Sequence, residues 1–381
     1  MAALKMRRID LTASDGKKQL AKLRDQFRTE GDVVSPASKK LTQAVFGEPL
    51  SPARAVERIC NDVRDRGLPA VLQYTEQFDK VKLKPEMVRV KPAELAAAHA
   101  AADPEFLEVV RQIQYNVLQF QSGLLHRDAE MRVSGKHELH LRYRPLNRVG
   151  VYCPGGAAAY PSTLLMTICP AQAAGVEQIV VCMPPKDTGG YNPAMLALCH
   201  ELRVTEVYRL GGAQAVAAMA YGTATIRPVD VIAGPGNVFV AIAKREVAGV
   251  VGVPSAFAGP SEIVVIADAS APPAFAAVDV VVQAEHGPDG LAWLVCWDEA
   301  VADAVSAEVA RITEASPRRD EITSTLAVAG YAVVCRDAAQ ALEVANAIAP
   351  EHLQLMTADP EALVGSVRNA GAIFCGAWSP A

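Results

Sequence analysis

From residue 148 onward, short runs of aliphatic and β-branched residues alternate with longer stretches in which apolar positions recur every three to four residues. That rhythm is the pattern of βαβ units built on a parallel sheet. The first set of predicted strands is Arg148 to Cys153, Gln178 to Met183, Glu206 to Leu210 and Asp230 to Ala233. The second is Glu262 to Ala267, Leu291 to Trp297, Tyr331 to Arg336, Leu353 to Thr357 and Ala372 to Cys375. Their apolar character on both faces, as in Ile179-Val180-Val181, suits strands covered by helices on each side. The segment Val247 to Pro260 is punctuated by Gly and Pro and has no clear period, so two sheets are expected, with the chain crossing between them there.

Before residue 148 the pattern is mostly helical. Ser51 to Asp79 opens with a Ser-Pro start signal, and Pro104 to Gln121 sets Phe106, Val109, Val110, Ile113, Val117 and Phe120 on one face, a stripe read as core packing. The expected fold is therefore α/β, with two Rossmann-like parallel-sheet domains and an additional N-terminal helical region. The expected boundaries are residues 1–147, 148–250 and 251–381, with part of the N-terminal region packing on the second α/β domain.

The chain of 381 residues is long enough for more than one core. Its composition, 51% hydrophobic and 21% charged, is that of an ordinary globular protein. A net charge of -5 argues against a phosphate-backbone partner, which needs a basic face, and points to a small-molecule ligand. Lys5, Arg7 and Arg8 have no apolar run behind them and Val247 to Pro260 is too short to span a bilayer, so a cytoplasmic location without membrane contact is expected. The eight cysteines are scattered without a Cys-x-x-Cys pair and read as buried thiols.

Three Gly-containing turns follow predicted strands: Tyr152-Cys-Pro-Gly-Gly156, Gly211-Gly-Ala-Gln214 and Gly234-Pro-Gly-Asn237. Each is either a tight turn that needs Gly or an anion site, where free N–H groups and a helix N-terminus meet a phosphate. Three on one side of a sheet favour a ligand at the carboxyl ends of its strands. The predicted helix Pro272 to His286 ends in Gln283-Ala-Glu-His286, which puts Gln283 and His286 at i and i+3, where both can reach a metal. Such a pair more often caps a helix. Pro350-Glu351-His352 stands between a helix and a strand; a His beside a carboxylate can move protons at neutral pH, although a solvated turn is the commoner reading of the dipeptide.

In this order, the three Gly turns, Gly259-Pro-Ser-Glu262, Gln283-Ala-Glu-His-Gly-Pro288 and Pro350-Glu-His-Leu353 resemble the motif series of histidinol dehydrogenase. The similarity runs from about Arg8 to Trp378 and is strongest after residue 145. The resemblance implies a homodimeric enzyme of histidine biosynthesis that oxidises L-histidinol through histidinaldehyde to L-histidine with two NAD. It implies an NAD-binding domain over 148–250 and a zinc-bearing catalytic domain over 251–381. Carried over by motif, His352 is the recurring base and Glu351 activates the water. Gln283 and His286 are zinc ligands, one zinc per subunit, and they contact substrate together with Ser261 and His352. Tyr152, Gln214 and Asn237 contact NAD. The family continues past the segment Trp378-Ser379-Pro380 into a dimerisation tail carrying two further zinc ligands, a tail absent from this sequence. Loose zinc binding and little turnover are the expectation that follows.

Two other readings compete. An NAD-dependent dehydrogenase of another polar alcohol, such as a sulfonated diol, would share the turns and the Pro-Glu-His step. A non-catalytic two-lobed ligand-binding module would keep the fold, but has no use for the Glu351-His352 pair.

Overall fold

The computed structural model describes residues 6–14, 16, 18–21, 42–133, 135, 137–155, 159–254, 262–285 and 290–381. In chain order its strands are β1 (Arg7–Asp10), β2 (Ala129–Val133), β3 (His137–Leu141), β4 (Arg148–Tyr152), β5 (Gln178–Met183), β6 (Glu206–Arg209), β7 (Val231–Ala233), β8 (Glu262–Ala267), β9 (Leu291–Cys296), β10 (Gly330–Val334), β11 (His352–Met356) and β12 (Ala372–Cys375). The chain divides into two compact units, one of residues 1–30 with 259–381 and one of residues 31–258.

The first unit holds a six-stranded sheet in the order β1-β10-β9-β8-β11-β12, every pairing parallel. Alternation along β8 separates its two faces. Ile263, Val265 and Ala267 pack with Ala277 and Val280 of the helix Pro273–Ala284 and with Val305 of the helix Glu299–Ala315. Val264 and Ile266 turn the other way, towards Trp293, Tyr331 and the helix Ala338–Ile348. The Trp293 and Tyr331 rings stack there with centroids 4.3 Å apart.

The second unit holds a four-stranded parallel sheet in the order β6-β5-β4-β7. From β4 the chain builds outward through β5 and β6, then returns to add β7 on the other side of β4. That reversal is a topological switch point, and the crevice outside the carboxyl ends of β4 and β7 is where such sheets take ligands. One face carries the helices Pro52–Arg66, Leu68–Asp79, Gly212–Tyr221 and Val238–Val247; the other carries Pro161–Ala173, Pro193–Glu201 and the N-terminal helices Pro92–Ala100 and Pro104–Gly123.

Several local expectations change. The N-terminal region divides between the units: β1 joins the six-stranded sheet, whereas the helices from residue 52 to 123 cover the four-stranded one. Ser51 to Asp79 is two helices, because Gly67 adopts φ 61° between Arg66 and Leu68. On the helix Pro104–Gly123 the buried positions are Leu107 and Val110, while Val109, Ile113 and Phe120 are exposed. The apolar stripe is therefore only partly core. β2 and β3 form an antiparallel hairpin that was not expected, with Met131, Leu139 and Leu141 exposed. Seven cysteines are buried, Cys375 is half-buried, and all eight are free thiols.

At the amino-terminal edge of the four-stranded sheet, Arg148 grips Glu206 with its two terminal guanidinium nitrogens, at 2.7 and 2.8 Å. The bidentate bond holds the Glu206 carboxyl down at about 2. A depressed carboxyl pKa stabilises the fold above the unfolded value and loses that effect as pH falls through about 2. Glu206→Gln is expected to cost on the order of 3 kcal/mol near neutral pH, with the gap from wild type closing as pH is lowered from about 5 to 2; denaturant unfolding across that range measures it.

Candidate active site

In the six-stranded sheet the candidate chemistry gathers on the amino-terminal edge. His352 is the first residue of β11, in register with Ile263 of β8 on one side and Ala372 of β12 on the other. Sequence reading left it in the preceding loop, whereas pairing on both flanks makes it part of the strand. Its ring meets Phe374 edge-on, with centroids 5.7 Å apart. Glu351 is exposed just before it, and its backbone carbonyl accepts from the N–H of Ala372 at 2.9 Å.

Glu262 opens β8 beside this step. The backbone N–H of Glu351 donates to its carboxylate, yet burial, helped by the nearby Glu351 charge, lifts its pKa to about 7. Gln283 reaches the same edge from the last turn of the helix Pro273–Ala284. It is 5% exposed and its side-chain amide nitrogen has no partner. One turn earlier lies Asp279, also buried, with Oδ2 unpartnered and a pKa raised to about 6 by burial. Helix and strand converge here because a helix that returns from β8 to β9 must end where β9 starts. Ser261 and His286, like Gly156 of the first Gly turn, lie outside the described residues.

In the four-stranded sheet the polar groups gather on the opposite, carboxyl edge. Tyr152 ends β4, and its buried hydroxyl accepts the Gly212 N–H at 3.1 Å. Burial raises the pKa of that phenol. Gln214, in the first turn of the helix Gly212–Tyr221, is 1% exposed, and neither its amide oxygen nor its amide nitrogen has a partner. A buried amide left so is costly, which suits a residue waiting for a ligand. Gly234, after β7, has φ 102°, and a Cβ there would collide with the Tyr152 carbonyl oxygen. The Lys244 ammonium, buried below, donates to the Gly234 carbonyl. Asn237 is the exposed N-cap of the helix Val238–Val247, its side chain accepting from the Val240 N–H at 3.1 Å. Gly236 is needed for packing, since a Cβ there would press into the buried Val240.

Among the described residues, the group of His, Cys, Asp or Glu side chains close enough to share a metal is Glu130, Glu138 and His140. All three are exposed on the β2–β3 hairpin, and none of them is a residue expected to bind metal.

A sequence profile of histidinol dehydrogenase matches residues 49–381. A histidinol dehydrogenase of Rhodopirellula baltica is 48% identical over 371 residues, covering 97% of this chain and 80% of that one. That of Geobacillus kaustophilus is also 48% identical, over 326 residues, covering 86% and 76%. Among solved structures, the histidinol dehydrogenase of Elizabethkingia anophelis superposes with a TM-score of 0.87 at 29% identity, covering 98% of this chain and 81% of that one. The chain belongs to the histidinol dehydrogenase family. Histidinol dehydrogenase catalyses the oxidation of histidinol in histidine biosynthesis and is an NAD-dependent oxidoreductase.

The motif series includes Glu262 within Gly259-Pro-Ser-Glu262 but gives it no role, and it does not single out Asp79. The signal for Glu262 was visible: it is a carboxylate heading an otherwise apolar strand, Glu262-Ile-Val-Val-Ile-Ala267. Because its folded pKa lies above the unfolded one, Glu262 supports folding below about pH 4.5 and that support is lost as pH rises through about 7. Glu262→Gln is expected to match the wild type in stability at about pH 4 and to exceed it at about pH 8. Urea midpoints measured across that range test the sign, and no divergence would mean that the carboxyl is not desolvated.

Proposed function

We propose that the chain oxidises L-histidinol through histidinaldehyde to L-histidine in two NAD-dependent steps, as a cytoplasmic homodimer. The observation that carries the reading is the edge formed by Glu262, Glu351 and His352, where a histidine and two carboxylates share the starts of neighbouring strands. His352 takes the proton from the substrate alcohol as the first oxidation proceeds. Glu351, exposed and therefore open to solvent, takes a proton from the water that adds to the aldehyde, and His352 acts again on the resulting hydrate. Glu262 receives the Glu351 backbone N–H and fixes the step that carries both groups.

Gln283 and His286 would hold zinc, with Ser261 contacting substrate beside them. The Gln283 amide oxygen would be the ligand, and its place in the last turn of the helix Pro273–Ala284 suits a cation, since a helix C-terminus carries partial negative charge. Bound zinc would supply a fixed point that orients the substrate's imidazole and amine.

Tyr152, Gln214 and Asn237 would hold NAD at the switch point of the four-stranded sheet, with the helix N-termini and Lys244 offering positive charge to its pyrophosphate. Bound NAD supplies the hydride acceptor for each oxidation. The exposed Val109, Ile113, Phe120, Met131, Leu139 and Leu141 give apolar surface that a second copy would cover.

NADH formation from L-histidinol tests the reading as a whole. For the roles, His352→Asn is expected to lower alcohol and aldehyde oxidation alike by about 100-fold or more. Glu351→Gln should impair mainly the aldehyde step. Assaying L-histidinol and histidinaldehyde separately distinguishes them, and equal losses on both substrates in Glu351→Gln would refute the assigned division.

A further inference from the structure

We propose that Asp79 binds the cis-diol of a cofactor ribose. The inference rests on the proposed cofactor site at the carboxyl edge of the four-stranded sheet and adds a residue to it. Asp79 ends the helix Leu68–Asp79, and its side chain stands 3.9 Å from Lys186, just beyond the end of β5. It therefore lies at the same edge as Tyr152 and Gln214.

Three observations point to an absent partner. The Asp79 side chain is 11% exposed, and its Oδ2 is buried without a hydrogen-bond partner. Lys186 does not supply one: at 3.9 Å from Oδ1 it is beyond hydrogen-bond length, and its own side chain is 43% exposed. Gln214 at the same edge also has both amide atoms buried and unpartnered. Burial raises the Asp79 pKa against the pull of Lys186, and the Asp79 charge is felt at the Tyr152 hydroxyl.

An ionised carboxylate only accepts hydrogen bonds, so its occupant must bring donors. A phosphate is repelled. Of the groups on a dinucleotide, a ribose offers two adjacent O–H donors, matched to the two oxygens of one carboxylate. Both the adenosine ribose and the nicotinamide ribose carry that diol.

The test is equilibrium binding of NAD, NADP, AMP and nicotinamide mononucleotide to the wild type and to Asp79→Asn, which keeps the shape and removes the charge. NAD affinity is expected to fall about tenfold, the worth of a hydrogen bond to a charged group. If the diol is that of the adenosine ribose, AMP weakens and the preference for NAD over NADP narrows. If it is that of the nicotinamide ribose, the mononucleotide weakens and the NADP ratio stays. Thermal unfolding of Asp79→Asn should be unchanged or raised, because a buried carboxylate that meets Lys186 only at 3.9 Å, without a hydrogen bond, has lost its charge; a residue with a purely structural role would lower it and leave the nucleotide ratios alone. Should the variant not fold, the wild type gives a second measure: AMP against 2′-deoxy-AMP, and the mononucleotide against its 2′-deoxy form, with one of the two losing affinity. Equal nucleotide affinities in Asp79→Asn and wild type overturn the inference and leave the cofactor reading standing. Failure of the wild type to bind NAD at all overturns both.

Discussion

A parallel pair of strands cannot be closed by a tight turn; each strand must be followed by a crossover long enough to return the chain to the starting edge. All pairings within the two large sheets are parallel, so both units inherit the same consequence. Helices cover both faces, and every loop falls on one of two edges. Side chains far apart in the sequence are thereby collected along one line, as Glu262 and Glu351 are by the β8–β11 register.

The two edges differ electrostatically, and the chemistry follows. Helix N-termini lie at the carboxyl edge of a parallel sheet and helix C-termini at the amino edge, with partial positive and partial negative charge respectively. In the four-stranded sheet the groups assigned to an anionic cofactor sit at the positive edge, beside the helices that begin at Gly212 and Val238. In the six-stranded sheet Gln283, Glu351 and His352, assigned to proton transfer and a cation, sit at the negative edge.

Buried charge is handled in two ways. Glu206 is matched by Arg148 and further bonded by Tyr208, and its pKa falls. Glu262 and Asp79 are desolvated without equal compensation, and their pKa values rise. Leaving such groups unmatched costs stability, and in each unit they stand among the groups assigned to ligand or catalysis.

The sequence by itself determined the strands from residue 148 onward, because a strand buried on both faces must be apolar throughout and cannot be mistaken for a solvated loop; each observed strand of that region lies within two residues of its expected bounds. It also carried the family, since an ordered series of Gly turns and the Glu351-His352 step constrains far more than any one motif. It could not say that Gly67 splits a helix, that Val109 and Phe120 face outward, or that β1 crosses to the six-stranded sheet, because periodicity describes a face and not what covers it. Nor could it rank Asp79 above any other aspartate that ends a helix. Whether a carboxylate is solvated, paired or orphaned depends on the residues that the register and the crossovers bring around it, and only the tertiary structure decides that.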